Sequence, residues 1–333
     1  MRAKHVKRSS TCSGLLLLFA CLLFLSPPFA NAALLKVYAF GDSLSDSGNA
    51  YAITAGVFPP SPPYAQRETN GPVAVEWLAT QLGIAFAPSV FGGTNYAVAG
   101  ASTGTSNSVS LASLSNTGMQ SQIAAFGSTA PVIDPQSSLF FVWGGTNDFL
   151  IALNNFQNPL VAAAQAITNL STDIGLLASL GAKHFFVPNL PDFGTTPFGQ
   201  AIDSALLSLI SQGFNAALAN ALGNLETTLN IDIQEFDVYG LLHSVLANPS
   251  AFGFTNVTDP CFNGITVCPN PDQYLFWDSG HPSARAHQIL GQAFFAALPV
   301  PSAVSEPNIG LLLGCALLVL AYSRRYPNAV TDC

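Results

Sequence analysis

Residues 138–143 read Ser-Leu-Phe-Phe-Val-Trp, an apolar run with no polar alternation, and it stops at Gly144-Gly145. A strand with one wet face alternates apolar and polar residues. A run apolar throughout is buried on both faces, which is the habit of parallel sheets covered by helices. Lys36-Val37-Tyr38-Ala39-Phe40 and His184-Phe185-Phe186-Val187-Pro188 have the same character, and 231–236 adds a further strand. Helical stretches lie between them: an amphipathic 73–82 with Glu76 on its polar side, an Ala/Leu-rich 160–180, then 201–222, and a last helix over 282–297. This alternation predicts an α/β fold with a parallel sheet covered on both faces. There is no internal repeat. The Ser/Thr/Gly-rich stretch 100–117 and the proline-rich turn 59–63 are expected to be loops and candidate walls of a substrate cleft.

The two ends of the 333-residue chain read differently. Arg2, Lys4, Lys7 and Arg8 precede an apolar run over 15–25, then Pro27, Pro28 and Ala30-Asn31-Ala32. A basic head, a short apolar middle and Ala-x-Ala is the pattern of a secretory signal cleaved after Ala32; a membrane anchor is the alternative, with a run short for a span. A second apolar run, 309–322, follows Glu306-Pro307 and precedes Arg324 and Arg325. Arginines after such a run put the main domain on the outer side of the membrane. The expected division is a signal at 1–32, one domain at 33–303 and a C-terminal sorting or membrane segment at 304–333. Removing the ends leaves four Lys+Arg (Lys36, Arg67, Lys183, Arg285) against sixteen Asp+Glu, a net charge near −12. That balance excludes a basic groove for nucleic acid and argues against adhesion to anionic lipid.

Cys261 and Cys268 are the two cysteines of the domain, and they flank the short loop 262–267. In an exported chain a disulfide is the expected state. A zinc pair is the alternative, although no second Cys or His pair stands at ligand spacing.

The chemistry concentrates in a few places. Directly after the first strand the chain reads Phe40-Gly41-Asp42-Ser43-Leu44-Ser45-Asp46-Ser47-Gly48-Asn49. A serine just past a strand's C-terminal end stands where open α/β folds place ligands, although Gly-Asp-Ser alone reads equally well as a helix cap. A serine nucleophile needs a base, and the base needs an orienting acid. Of five histidines, His5 lies in the leader, while His184 on a strand and His243 on a Leu/Val helix read as structural. His287 falls within the last helix and reads as surface or packing. His281 follows Asp278 by three residues across Gly280, ahead of Pro282. That spacing lets the carboxylate fold back onto Nδ1 and leaves Nε2 to face a serine; the bland alternative is Asp278 as a cap beside an exposed imidazole. Asn95-Tyr96-Ala97-Val98-Ala99-Gly100-Ala101 ends near a bare backbone position, and Phe141-Val142-Trp143-Gly144-Gly145-Thr146-Asn147-Asp148 is a strand end followed by an amide. Alone, Gly100 and Asn147 read as loop residues, and Asp148 as a hydrogen-bonding residue.

Taken together and in their order along the chain, the four segments resemble the four signature blocks of the GDSL family of SGNH hydrolases, serine esterases and lipases. Thr69-Asn70-Gly71-Pro72-Val73 and 188–197 belong to the same resemblance, which runs from about Val37 to the last helix. It implies a three-layer α/β/α sandwich with a flavodoxin-like parallel sheet and no metal or cofactor. It implies Ser43 as nucleophile, His281 as base held by Asp278, and an oxyanion hole from the Ser43 and Gly100 N–H groups and the Asn147 amide. Ala99 departs from the pattern, since many relatives carry Gly there. The C-terminal segment resembles the PEP-CTERM sorting signal of Gram-negative bacteria, with Ser305 in place of its first proline. That implies an exported protein of the periplasm, outer surface or extracellular matrix, and a processing protease as a partner. The expected activity is hydrolysis of fatty-acyl esters by a monomer. A carbohydrate O-acetyl esterase acting on exopolysaccharide, an acyltransferase, and a catalytically silent surface- or matrix-binding protein are the rival readings. Retention of Ser43, Asp278 and His281 argues against the silent one.

Overall fold

The computed structural model describes residues 34–298. The expectations for 1–32 and 304–333 lie outside the described residues. Four strands, β1 (Lys36–Gly41), β2 (Ser138–Trp143), β3 (His184–Pro188) and β4 (Asp232–Phe236), pair in parallel in the order β1-β2-β3-β4. Residues 94–98 run beside the outer edge of β1. Ala39 N–H donates to Thr94 O at 3.1 Å, Tyr96 N–H to Ala39 O at 2.7 Å and Val98 N–H to Gly41 O at 3.1 Å. In chain order the sheet therefore reads second, first, third, fourth, fifth. The winding direction reverses between β1 and β2, and the crevice at such a reversal is where open α/β sheets bind ligands.

The helices form two layers. Tyr38, Phe40, Phe140 and Phe185 bury against Met119–Ser128, Pro159–Ser179 and Ser204–Leu229. Val37, Ala39, Leu139, Phe141 and Phe186 point the other way, onto Ala74–Gln81, Val238–Ala247 and Ala284–Ala297. The alternation within β1, β2 and β3 thus serves two apolar layers, which is why no polar residue interrupts their interiors, whereas β4 at the sheet edge carries Gln234 and Glu235. Phe40, Phe140, Phe141, Phe185 and Phe186 are each at most 1% exposed, and burying a side chain of that size contributes about 1.5–3 kcal/mol. The result is the three-layer α/β/α sandwich.

Two boundaries differ from the sequence reading. The helix expected over 201–222 is broken at Asp203, whose extended φ of −162° ends Pro197–Ile202 and whose carboxylate caps Ser204–Leu229 by accepting Leu206 N–H at 3.0 Å. That second helix runs on to Asn230, which closes it in the left-handed region at φ 51°, a conformation Asn tolerates. The last helix starts at Ala284 with Ser283 as its cap, so Pro282 sits just outside it. His287 is buried, and its Nδ1 accepts the Ala74 N–H at 3.2 Å, joining the two helices of one layer. Packing is therefore its role and surface exposure is not. Burial, then the charge of His281, pushes it down to about 3, so it stays neutral.

A second, two-stranded sheet pairs β5 (Asn256–Pro260) with β6 (Tyr274–Phe276). Cys261 and Cys268 are bonded to each other next to it. Cys261 N–H donates to Phe276 O at 3.1 Å and Phe262 N–H to Trp277 O at 2.6 Å, so the bridged loop is fastened to the chain that leads into Asp278.

Candidate active site

The end of β1 is shaped by close approach. A Cβ on Gly41 would collide with the Trp143 carbonyl of β2, so only glycine lets the two strand ends lie together. Gln122 grips the same residue with both arms of its amide, accepting Gly41 N–H at 3.0 Å and donating to Gly41 O at 2.8 Å. The chain then turns through Asp42, whose carbonyl accepts Ser45 and Asp46 N–H and whose Oδ1 accepts Leu44 N–H at 3.0 Å. This turn presents Ser43 above the C-terminal ends of the strands.

Asp46 does the next piece of placement. Its carboxylate accepts N–H groups from Gly48, Asn49 and Ala50 at the start of Asn49–Ile53, and from Ala99 at 2.9 Å. Asn49 Nδ2 donates to Asn95 O and Ala97 O, and Asn95 Nδ2 donates back to Ser45 O and Ser47 Oγ. The serine turn and the Gly100 loop are thus one hydrogen-bonded unit. Gly100 has φ +78°, and a Cβ there would strike the Asn107 side chain. Only glycine satisfies both conditions. Among the described residues, neither Ser43 N–H nor Gly100 N–H has a hydrogen-bond partner.

Asn147 lies in the first turn of Thr146–Asn154, the helix that follows β2. Its Nδ2 donates to Ala101 O at 3.1 Å and sits 3.5 Å from Asp42 Oδ2, while Ser108 Oγ lies 2.9 Å from its Oδ1. These contacts hold the amide nitrogen toward the serine turn. Asp148 accepts both Thr103 N–H at 2.9 Å and the Thr103 hydroxyl at 2.6 Å, which is the hydrogen-bonding role expected of it.

His281 and Asp278 occupy the loop between β6 and the last helix. His281 Nε2 is 2.9 Å from Ser43 Oγ, and Nδ1 is 2.9 Å from both Asp278 oxygens. Gly280 and His281 N–H groups also donate to Asp278 Oδ1. Burial pushes Asp278 up, but the His281 charge and these hydrogen bonds outweigh it and hold the carboxyl at about 2. Burial works against a charged His281, yet the Asp278 carboxylate and then Glu68 win and raise it above the ordinary histidine value. Asp42 is raised to about 6 by burial. All five residues singled out for chemistry therefore come together, while His184 and His243 stand apart, bonded to Asp232 and Asp192.

Two residues of the site were missed in the sequence. Tyr64 donates its hydroxyl to Asp278 Oδ2 at 2.7 Å, with its ring edge-on to Phe262 and Trp277. Burial and the Asp278 charge keep the phenol protonated. Its signal was the adjoining proline-rich turn, marked only as a wall. Glu68 Oε2 stands 3.7 Å from His281 Nε2, and nothing in the local sequence announces it. Tyr64→Phe should lower kcat about tenfold with KM unchanged, since a hydrogen bond to a charged acceptor is lost away from substrate. A KM effect alone would show that the phenol touches substrate instead.

A cavity of about 380 Å³ is lined by Ser43, Gly100, Asn147 and His281 together with Leu241, Leu242, Val245, Phe254, Leu275 and Ile289. Chemically, the arrangement offers a hydroxyl whose proton can pass to an imidazole and a place beside it for an anion.

The sequence profile of the GDSL-like lipase/acylhydrolase family matches residues 37–294. The chain belongs to this family. It is accordingly a carboxylic ester hydrolase. A GDSL esterase/lipase of Arabidopsis thaliana is 26% identical, covering 84% of this chain and 94% of the relative. Lipase 1 of Photorhabdus luminescens is also 26% identical over 80% of this chain, which spans 50% of that longer protein. Among solved structures, a lipolytic G-D-S-L family member from Veillonella parvula is 18% identical, covers 79% of this chain and 98% of its own, and has a TM-score of 0.45. An acetylxylan esterase from Geobacillus stearothermophilus is 15% identical, covers 82% and 97%, and has the same TM-score of 0.45.

Proposed function

We propose that this GDSL-family enzyme cleaves esters of medium- to long-chain fatty acids through an acyl-serine intermediate. Ser43 Oγ attacks the acyl carbon as its proton passes to His281 Nε2. Asp278 holds the imidazole in the right tautomer and stabilises its charge. The Ser43 and Gly100 N–H groups and Asn147 Nδ2 receive the oxyanion. The tetrahedral adduct collapses, and the leaving alcohol takes the proton from Nε2. A water then gives its proton to His281, attacks the acyl-serine and releases the acid with Ser43 restored. The single observation that carries the substrate class is the cavity, which Ser43 shares with an apolar lining of Val238, Leu241, Leu242, Val245, Phe254, Leu275 and Ile289. An acetyl group would leave that surface uncovered.

The test is a series of p-nitrophenyl esters of increasing acyl length. Each methylene that enters an apolar channel contributes about 0.8 kcal/mol, so kcat/KM should rise about fourfold per methylene until the cavity is full. Leu242→Trp should shorten the preferred chain while sparing short esters. Maximal activity on acetate, with decline thereafter, would give the site to an O-acetyl esterase. Inertness toward every ester would give it to a binding protein.

We propose further that 1–32 directs export and is removed, and that 304–333 sorts or anchors the protein outside the inner membrane. The Cys261–Cys268 bond supports an oxidising compartment. Intact mass of the protein recovered from its native envelope or medium decides this. A species retaining residue 1 in the cytoplasm would exclude export, and one retaining Arg324 and Arg325 in the membrane would make the tail an anchor.

A further inference from the structure

Of the carboxylates that line the cavity, Asp278 holds His281 and Asp42 accepts Leu44 N–H in the serine turn, while Glu68 is left without work by the mechanism. Its loop is fixed at both ends. Arg67 is occupied by a two-pronged ion pair with Glu76, Thr69 Oγ1 donates to Pro282 O at 2.9 Å, and Asn70 Oδ1 accepts Ala284 N–H at 2.7 Å. The side chain is 15% exposed and lines the same cavity as Ser43. His281 Nε2 stands 3.7 Å from this carboxylate, which also interacts electrostatically with Asp278, Asp46, Asp42 and the Tyr64 hydroxyl. No hydrogen-bond donor among the described residues reaches its oxygens within bonding distance. Burial pushes this carboxyl up to about 7.

Nε2 is the atom that delivers the proton to the departing oxygen, so whatever stands beside it on the cavity side stands beside the leaving alcohol. Resting on the acyl-serine reading above, we propose that Glu68 selects the alcohol half of the substrate, accepting a hydrogen bond from a hydroxyl next to the ester oxygen. The favoured substrates are then esters of hydroxyl-rich alcohols, glycerol- or sugar-like, over esters of simple alkanols with the same acid. A buried acceptor of this kind discriminates strongly, because an alcohol lacking the hydroxyl leaves the carboxylate desolvated and unpaired.

The experiment compares glycerol monodecanoate with ethyl decanoate on the purified protein and on Glu68→Gln and Glu68→Leu. The ratio of kcat/KM for the glycerol ester to that for the ethyl ester should fall about tenfold or more in both variants. The rising limb of kcat/KM against pH should move to lower pH on both esters, because a negative charge beside His281 has been removed. That pH shift together with the lost selectivity supports the assignment. The same shift with an unchanged ratio overturns it, leaving Glu68 as a group that acts only through His281. An unchanged ratio and an unchanged profile overturn it as well. Wild-type protein inert to both esters and unlabelled at Ser43 by a fluorophosphonate would instead bring down the acyl-serine reading, and this proposal with it.

Discussion

Ser43→Ala is expected to lower kcat on the best ester by on the order of 10⁵–10⁶, because removing the nucleophile of such a unit costs about as much as removing the whole unit. The residual rate comes from the oxyanion donors and from binding, both of which the substitution leaves in place. Stability should change little. Ser43 Oγ has His281 Nε2 as its hydrogen-bond partner, and the turn around it is held by Asp42, Asp46 and Asn95 rather than by its own side chain. The loss is read by ester hydrolysis, and the assignment by fluorophosphonate labelling with peptide mapping. Label on Ser43 in the wild type and none in the variant is the expected pair. A variant that still takes up one equivalent, on Ser45, Ser47 or Ser108, would refute the assignment.

Asn147→Ala is expected to lower kcat by about 10²–10³ with KM nearly constant, the effect of deleting one oxyanion donor. Its Nδ2 meets the ground-state carbonyl weakly and the oxyanion strongly, so the loss falls on the chemical step. The amide also holds Ala101 O and lies against Ser108, so the variant needs a control for loop displacement. Ser108→Ala serves: it loosens the same loop without removing the donor, and it should cost much less than Asn147→Ala. Equal losses in the two would make Asn147 a loop anchor. A rise in KM at constant kcat would make it a substrate contact.

The strand–helix alternation was legible because it is local: 139–143 and 185–188 are apolar on both faces, and only a strand covered on both faces tolerates that. The edge segment 94–98 was not, since it meets β1 through three backbone bonds and its sequence has no strand pattern of its own. Helix ends went astray where one residue decides them, as at Asp203 through its side chain and at Asn230 through its left-handed backbone.

The sequence by itself determined the four parallel strands, the candidate serine and the candidate Asp–His pair, because strand burial and the three-residue spacing across Gly280 are short-range properties. Tertiary structure alone decided that Tyr64 reaches Asp278, 214 positions away, and that Glu68 faces Nε2. It alone decided that residues scattered from Leu241 to Ile289 enclose one apolar cavity beside Ser43. Those relations depend on how layers stack, and each side chain involved would read, in its own stretch of sequence, as an ordinary loop or core residue.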